Sequence, residues 1–308
     1  MNKNQLKGLL CGFIATMFWA SYYPVNRYLF GSEAENFDEW FISYLRIFIA
    51  FLVLLPLAWK SGDWKQFKSN FKLDWKIFLL LSFATIGEGL LLFFSLKYTT
   101  AARSSIFANT SPVTTLIFSF LIVHEVINRR KLTGIILGMT GIVLAALSRG
   151  EDLFSGGASM WIGDLLAFSS GVCWALFTVL GTKVSERYNG MFCAAVFQAI
   201  ALVLLIPVLI LLDCRISFDF PLTVWIGVIY LGACANGLAV GLWSQALKHL
   251  KPGVLGAFGY VSAVSSIIFA TVFLKEKISW LFIVAVILIM TGVSLLFSQK
   301  KEESEKEK

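Results

Sequence analysis

The sequence predicts an all-α integral membrane protein of ten transmembrane helices, built as two inverted five-helix repeats with both termini inside (N-in/C-in). Three observations carry this expectation. The chain is 57% hydrophobic and only 15% charged, with a mean hydropathy of +0.77, far from the balance of a water-soluble domain. Its apolar runs are long enough to cross about 30 Å of hydrocarbon, and they fall into ten segments. The second half also repeats the first. An ungapped register of 151 residues sets Leu96-Lys97 on Leu247-Lys248, Phe107 on Phe258, Ser111 on Ser262, Glu125 on Glu276, and Met139-Thr140-Gly141 on Met290-Thr291-Gly292.

The spans follow in order. The first, 8–30, is too long for a signal peptide and lacks a small-x-small cleavage site, so it stays as a helix. The second, 38–59, carries Arg46 and Pro56, and the third, 75–96, carries Glu88 behind a loop of five lysines. The fourth, 103–123, contains Asn109-Thr110-Ser111-Pro112, where proline frees the carbonyl of Ala108 and predicts a hinge. The fifth, 131–148, starts behind Glu125, a carboxylate suited to the helix dipole. The sixth, 160–182, repeats the first in a register of 155, pairing Gly8 with Gly163 and Trp19-Ala20 with Trp174-Ala175. The seventh, 190–212, has Pro207 where the second has Pro56, and the eighth, 222–247, sets Asn236 among Gly232 and Gly237. The ninth, 253–274, has Ala263 where the fourth has Pro112, and the tenth, 278–298, follows Glu276. Residues 1–148 and 160–298 are therefore the two repeats, and 299–308 is a solvated Lys/Glu tail.

Five helices per copy is an odd number, so the second copy enters the bilayer from the opposite side. With the N-terminus inside, 18 of the 26 Lys and Arg residues fall on inner segments. Seven fall outside (Arg27, Lys97, Arg103, Arg149, Arg215, Lys275 and Lys277), and Arg46 lies within a span. That bias obeys the positive-inside rule. The net charge of +7 thus marks orientation rather than nucleic-acid binding. The five cysteines have no pairing pattern for a disulfide or metal site, and nothing implies a cofactor.

Ionisable residues inside a span face the bundle interior and mark function or structural pairing. Arg46 lies about 9 Å and Glu88 about 13 Å below the outer face at 1.5 Å per residue. Their counterparts in the second copy are Phe197 and Ala239, so both charges are lost together. Two readings stand: an ion pair locking the second and third helices, or a gate or proton-sensitive switch beside a cavity. The amides Asn109, Gln198 and Asn236 either meet a solute or bond a neighbouring helix. Trp40, Trp59, Trp75 and Trp280 suit the membrane interfaces. Trp19 and Trp174 lie mid-helix, and with Tyr22, Trp243, Phe107, Phe258 and Tyr260 they form a candidate cavity lining. An inverted repeat of this kind points to a carrier around a pseudo-two-fold axis.

Trp19, Arg46, Ser111-Pro112, Glu125, Gly134, Gly141, Trp174, Glu276 and Gly292, in this order over a 5+5 repeat, resemble the EamA family of the drug/metabolite transporter superfamily. The resemblance covers nearly the whole chain. It implies a multi-pass carrier of the cell inner membrane with a central cavity formed by helices one to four and six to nine. Helices five and ten are then peripheral. It also implies export of small metabolites such as amino acids or their analogues. Three departures stand out. Ala20 follows the tryptophan where the family has glycine, Ala263 replaces the second proline, and the first helix has no acidic residue of the kind related multidrug exporters carry. The expected partners are a small-molecule substrate and lipid. One chain is sufficient as a monomer, and a dimer is compatible. A drug or nucleotide-sugar carrier is the alternative, with only Arg46 to meet a phosphate. A lipid-modifying enzyme lacks the necessary cluster, because His124 and His249 are the only histidines.

Overall fold

The computed structural model describes residues 3–22, 25, 38–148, 160–274 and 279–306. Among them every regular element is helical. They are α1 (Lys3–Ala20), α2 (Glu39–Ser61), α3 (Trp64–Ser95), α4 (Ala101–Ala108), α5 (Ser111–Val123) and α6 (Arg129–Leu147) in the first copy. The second has α7 (Met160–Ser185), α8 (Gly190–Leu211), α9 (Leu222–Tyr230), a π-helical segment (Leu231–Leu238) and α10 (Ala239–Leu247). It closes with α11 (Pro252–Gly256), α12 (Phe258–Leu274) and α13 (Trp280–Lys306). Seven helical stretches are long and apolar enough to cross a membrane, and Trp280–Leu296 is a shorter apolar helix.

Local chemistry sets the ends. Asp38 accepts from the backbone N–H groups of Trp40 and Phe41 to start α2, and Gly62, at φ 77°, ends it in the left-handed region. Asn128 and Asn189 start α6 and α8 in the same way as Asp38. One expectation changes. The lysine-rich stretch before the third span is not a loop, because α3 begins at Trp64 and runs on through it. Aromatics at 64, 67, 71 and 75 share one face there, which makes the stretch a good amphipathic helix. The fourth span is two helices, broken at Asn109-Thr110 with Pro112 in the first turn of α5. The equivalent run in the second copy, Tyr260–Ser266, lies inside the unbroken α12.

Each major helix packs on a helix of the other repeat. α3 lies along α7 as α1 lies along α10, α5 meets α7 as α12 meets α1, and α2 pairs with α8 and α6 with α13. The same symmetry recurs at the ends. A β-carbon on Gly8 would come 2.8 Å from His249 Cβ, and one on its counterpart Gly163 would come 2.7 Å from Thr99 Cβ. Gly134 would strike the carbonyl oxygen of Gly292 at 2.7 Å, so α6 and α13 touch backbone to backbone.

Gly134→Val should therefore lower the melting temperature in detergent, reflecting an overpacking cost of roughly 1–3 kcal/mol. Gly89→Ala, with nothing within 4 Å of the added carbon, should leave it unchanged or higher.

Candidate functional site

Trp19 at the end of α1, Trp174 in α7 and Trp243 in α10 come together. Their ring centroids are 5.0 Å (Trp19–Trp174), 5.1 Å (Trp19–Trp243) and 5.6 Å (Trp174–Trp243) apart. The first two contacts are edge-on, the geometry that the ring quadrupoles favour. Phe177 stacks on Trp174 at 5.3 Å. Trp19 and Trp174 are half-buried, while Trp243 is buried beneath them with its indole N–H on Thr178 Oγ1 at 3.3 Å.

The indole N–H of Trp19 donates to the carbonyl of Ala235 at 2.9 Å, inside the π segment. There the chain bonds i to i−5, as from the N–H of Ala239 to Cys234 O. The wider turn presents carbonyls to side chains: Gln198 Nε2 donates to Asn236 O at 2.7 Å. Small residues let the segment sit against α2. A β-carbon on Gly232 would lie 2.9 Å from Arg46 O, and one on Gly237 would lie 3.4 Å from Ala50 Cα. The Asn236 side chain itself is half-buried and has no hydrogen-bond partner among the described residues.

Arg46 donates to Tyr22 Oη at 2.5 Å and Ser43 Oγ at 2.8 Å, with its guanidinium 5.2 Å from the Tyr22 ring centre. Glu88 lies on α3 beside α7, where Gly87 faces Cys173 Sγ, and it is half-buried without a partner among the described residues. The first of the two readings of these charges, an Arg46–Glu88 ion pair, is not formed. α8 packs against both α2 and α3, and Arg46 turns to Tyr22 and Ser43 instead.

Three of the candidate lining residues, Tyr260, Trp243 and Asn109, are engaged within the protein itself. Tyr260 is wholly buried with Ile142, Val264, Ile289 and Val293, its ring in the space left by Gly138, and Trp243 is likewise an interior packing residue. Asn109 bonds back to Ser105 O at 2.8 Å. It sits at the break between α4 and α5, where Gly171 of α7 covers the freed carbonyl of Ala108. Gln198 is a helix-to-helix bond, the second of the two readings of that amide.

Glu125 does not cap α6, which Asn128 starts. Its carboxylate takes Lys131 Nζ at 3.0 Å, the Ser119 hydroxyl and the N–H of Gly253 at 3.0 Å. It thereby ties α5 and α6 to the first turn of α11, in the other repeat. Its counterpart Glu276 lies outside the described residues. Two more cross-repeat clusters have no advance notice in the sequence reading. Asp164 takes Arg103 and the Thr99 hydroxyl (2.9 Å). Asp74 takes Arg187 and the Tyr188 hydroxyl (2.6 Å). Burial, reinforced by Asp74, pushes the Tyr188 hydroxyl up to about 12, so it stays a donor.

This chain belongs to the EamA-like transporter family, whose profile matches residues 6–147 and again 161–298. It is 26% identical over 270 residues to the uncharacterized transporter YetK of Bacillus subtilis, covering 87% of this chain and 81% of that one. An uncharacterized transporter of Archaeoglobus fulgidus is 28% identical over 273 residues, covering 87% and 91%. A solved crystal structure at 20% identity superposes with a TM-score of 0.79 over 96% of this chain and 98% of its own. The protein is thus a multi-pass membrane protein of a transporter family.

Glu125→Gln leaves Lys131, only 3% exposed, without a counter-charge. It should cost about 3–5 kcal/mol in thermal unfolding. Adding Lys131→Met should recover most of that loss, a non-additive double-mutant cycle.

Proposed function

We propose that the protein is a secondary carrier of the cell inner membrane. In this reading it has ten spans, N-in and C-in, and exports small metabolites such as amino acids or their analogues by alternating access. Family membership supports the transport class. The observation that carries the site is the pair of half-buried side chains without partners among the described residues, Asn236 on the π segment and Glu88 on α3. Asn236 follows Ala235, whose carbonyl holds Trp19, and Glu88 follows Gly87, which faces Cys173 beside Trp174. In this reading the aromatic faces hold the apolar part of the solute and Asn236 meets a polar group. Glu88 and Arg46 respond to solute or proton on one side of the path. The break at Pro112 and the π segment supply backbone that bends without losing its hydrogen bonds to water-free surroundings.

Counterflow in proteoliposomes preloaded with a panel of amino acids tests this. Exchange by the parent is expected for at least one solute. Asn236→Ala should lower it by about threefold to tenfold through a raised KM, the range of one lost hydrogen bond. Glu88→Gln should abolish exchange or its pH dependence while the protein stays folded. No exchange across the panel would remove the amino-acid reading.

A further inference from the structure

A cleft of about 500 Å³ opens where α2 ends and α3 begins, lined by Trp59, Trp64, Phe67, Lys68 and Phe71. It lies away from the tryptophan contact of the central bundle. Trp59 is 74% exposed and Phe71 52%, so the lining is far too apolar to be left to water. α8 closes its back: the rings of Trp64 and Phe67 meet Phe192 at 4.9 and 5.5 Å.

The cations are placed beside this apolar surface. Lys65, Lys68 and Lys72 fall at i, i+3 and i+7, one stripe of α3, next to the stripe of Trp64, Phe67 and Phe71. All three lysines are exposed, and none has a carboxylate partner among the described residues. The two nearby acids are engaged elsewhere. Asp63 accepts the N–H of Asn189 at 2.7 Å, and Asp74 holds Arg187 and Tyr188. In the second repeat the corresponding stretch, 211–225, has Arg215 as its single cation. The arrangement therefore occurs on one face of the membrane.

We propose that this cleft binds an anionic phospholipid, its phosphate on Lys68 with Lys65 and Lys72 one turn to either side, and an acyl chain on Trp64, Phe67 and Phe71. Charge complementarity and the joined apolar surface both ask for this one amphiphile. A free phosphate uses the lysines alone, and a neutral lipid uses the aromatics alone. Assignment to the cytoplasmic leaflet rests on the proposed N-in orientation; binding does not.

Native mass spectrometry of the delipidated full-length protein in detergent, titrated with phosphatidylglycerol or phosphatidylcholine of the same acyl chains, tests the proposal without reference to transport. Phosphatidylglycerol should be retained in preference. The triple variant Lys65→Gln, Lys68→Gln, Lys72→Gln should weaken its retention by roughly tenfold or more. A charge-matched control, Lys300→Gln, Lys301→Gln, Lys306→Gln, should leave it unchanged. Elution and circular dichroism check that the variants fold, and the contrast between lipids in the parent stands without them. Equal retention of the two lipids would overturn the proposal, as would an unaffected triple variant, an equal loss in the tail control, or displacement of phosphatidylglycerol by millimolar inorganic phosphate.

Discussion

Where α6 and α13 cross, Gly134 and Gly292 bring two backbones into contact, and a β-carbon on either would strike the other's carbonyl. Lipid tails are as apolar as leucine, so helices in a bilayer gain little from burial alone and depend on such close approach. The rest of the bundle follows from the same constraint applied across the repeat. Gly8 fits against His249 and Leu250, Gly163 against Thr99, Gly171 against the break after Ala108, and Gly232 against Arg46. Every one of these contacts lies between the two copies, Gly232's joining the second copy's π segment to α2 of the first. The copies are interleaved, and neither has a complete core of its own.

The chemistry gathers where the symmetry fails. Arg46 and Glu88 correspond to Phe197 and Ala239, which are 1% and 0% exposed and lie in one packed cluster. In the second copy α8 packs along α10, and these two apolar residues lie on those helices within one cluster; in the first, the equivalent positions on α2 and α3 are charged. The Glu125 cluster is likewise unrepeated in its partners, since Ser119 and Lys131 align with Ala270 and Phe282. The irregular backbone is also unevenly shared. The first copy breaks its fourth span at Asn109-Thr110, and the second widens its eighth into a π segment whose counterpart, 80–87, stays α-helical in α3.

Helical architecture was legible because hydropathy and the repeat register report on burial in lipid directly. Trp19 and Trp174 could be singled out because they are repeat-equivalent and lie away from the ends of the apolar runs; that their rings meet comes from α1 and α7 both packing on α10. Of the two readings of Arg46 and Glu88 the ion pair fails, because depth along a helix says nothing about the direction in which a side chain leaves it, and Arg46 turns to Tyr22 and Ser43. Tyr260 carried a hydroxyl that suggested a lining role, yet its ring answers the missing side chain of Gly138, a relation between distant positions that no single-sequence pattern exposes. The π segment left only a trace, the small residues Gly232, Ala233, Ala235 and Gly237 around Asn236. Glu125 was placed by its neighbours in sequence, whereas its partners come from α5, α6 and α11 together.

Interleaving also constrains how such a bundle moves. If the two repeats rocked as rigid bodies, the contacts α1–α10, α3–α7, α2–α8 and α6–α13 would all have to part at once, including the backbone contact at Gly134 and Gly292. Packed interfaces are bistable rather than continuously deformable, so a motion that keeps most of them intact is the cheaper one. Holding α1 with α10 and α3 with α7 as two cross-repeat units leaves the α2–α8 and α6–α13 contacts as the places to pivot. The break after Ala108 lies against α7, and the π segment at Asn236 lies against α1 and α2. In the proposed alternating access these irregular stretches are where backbone can bend while its neighbours stay packed.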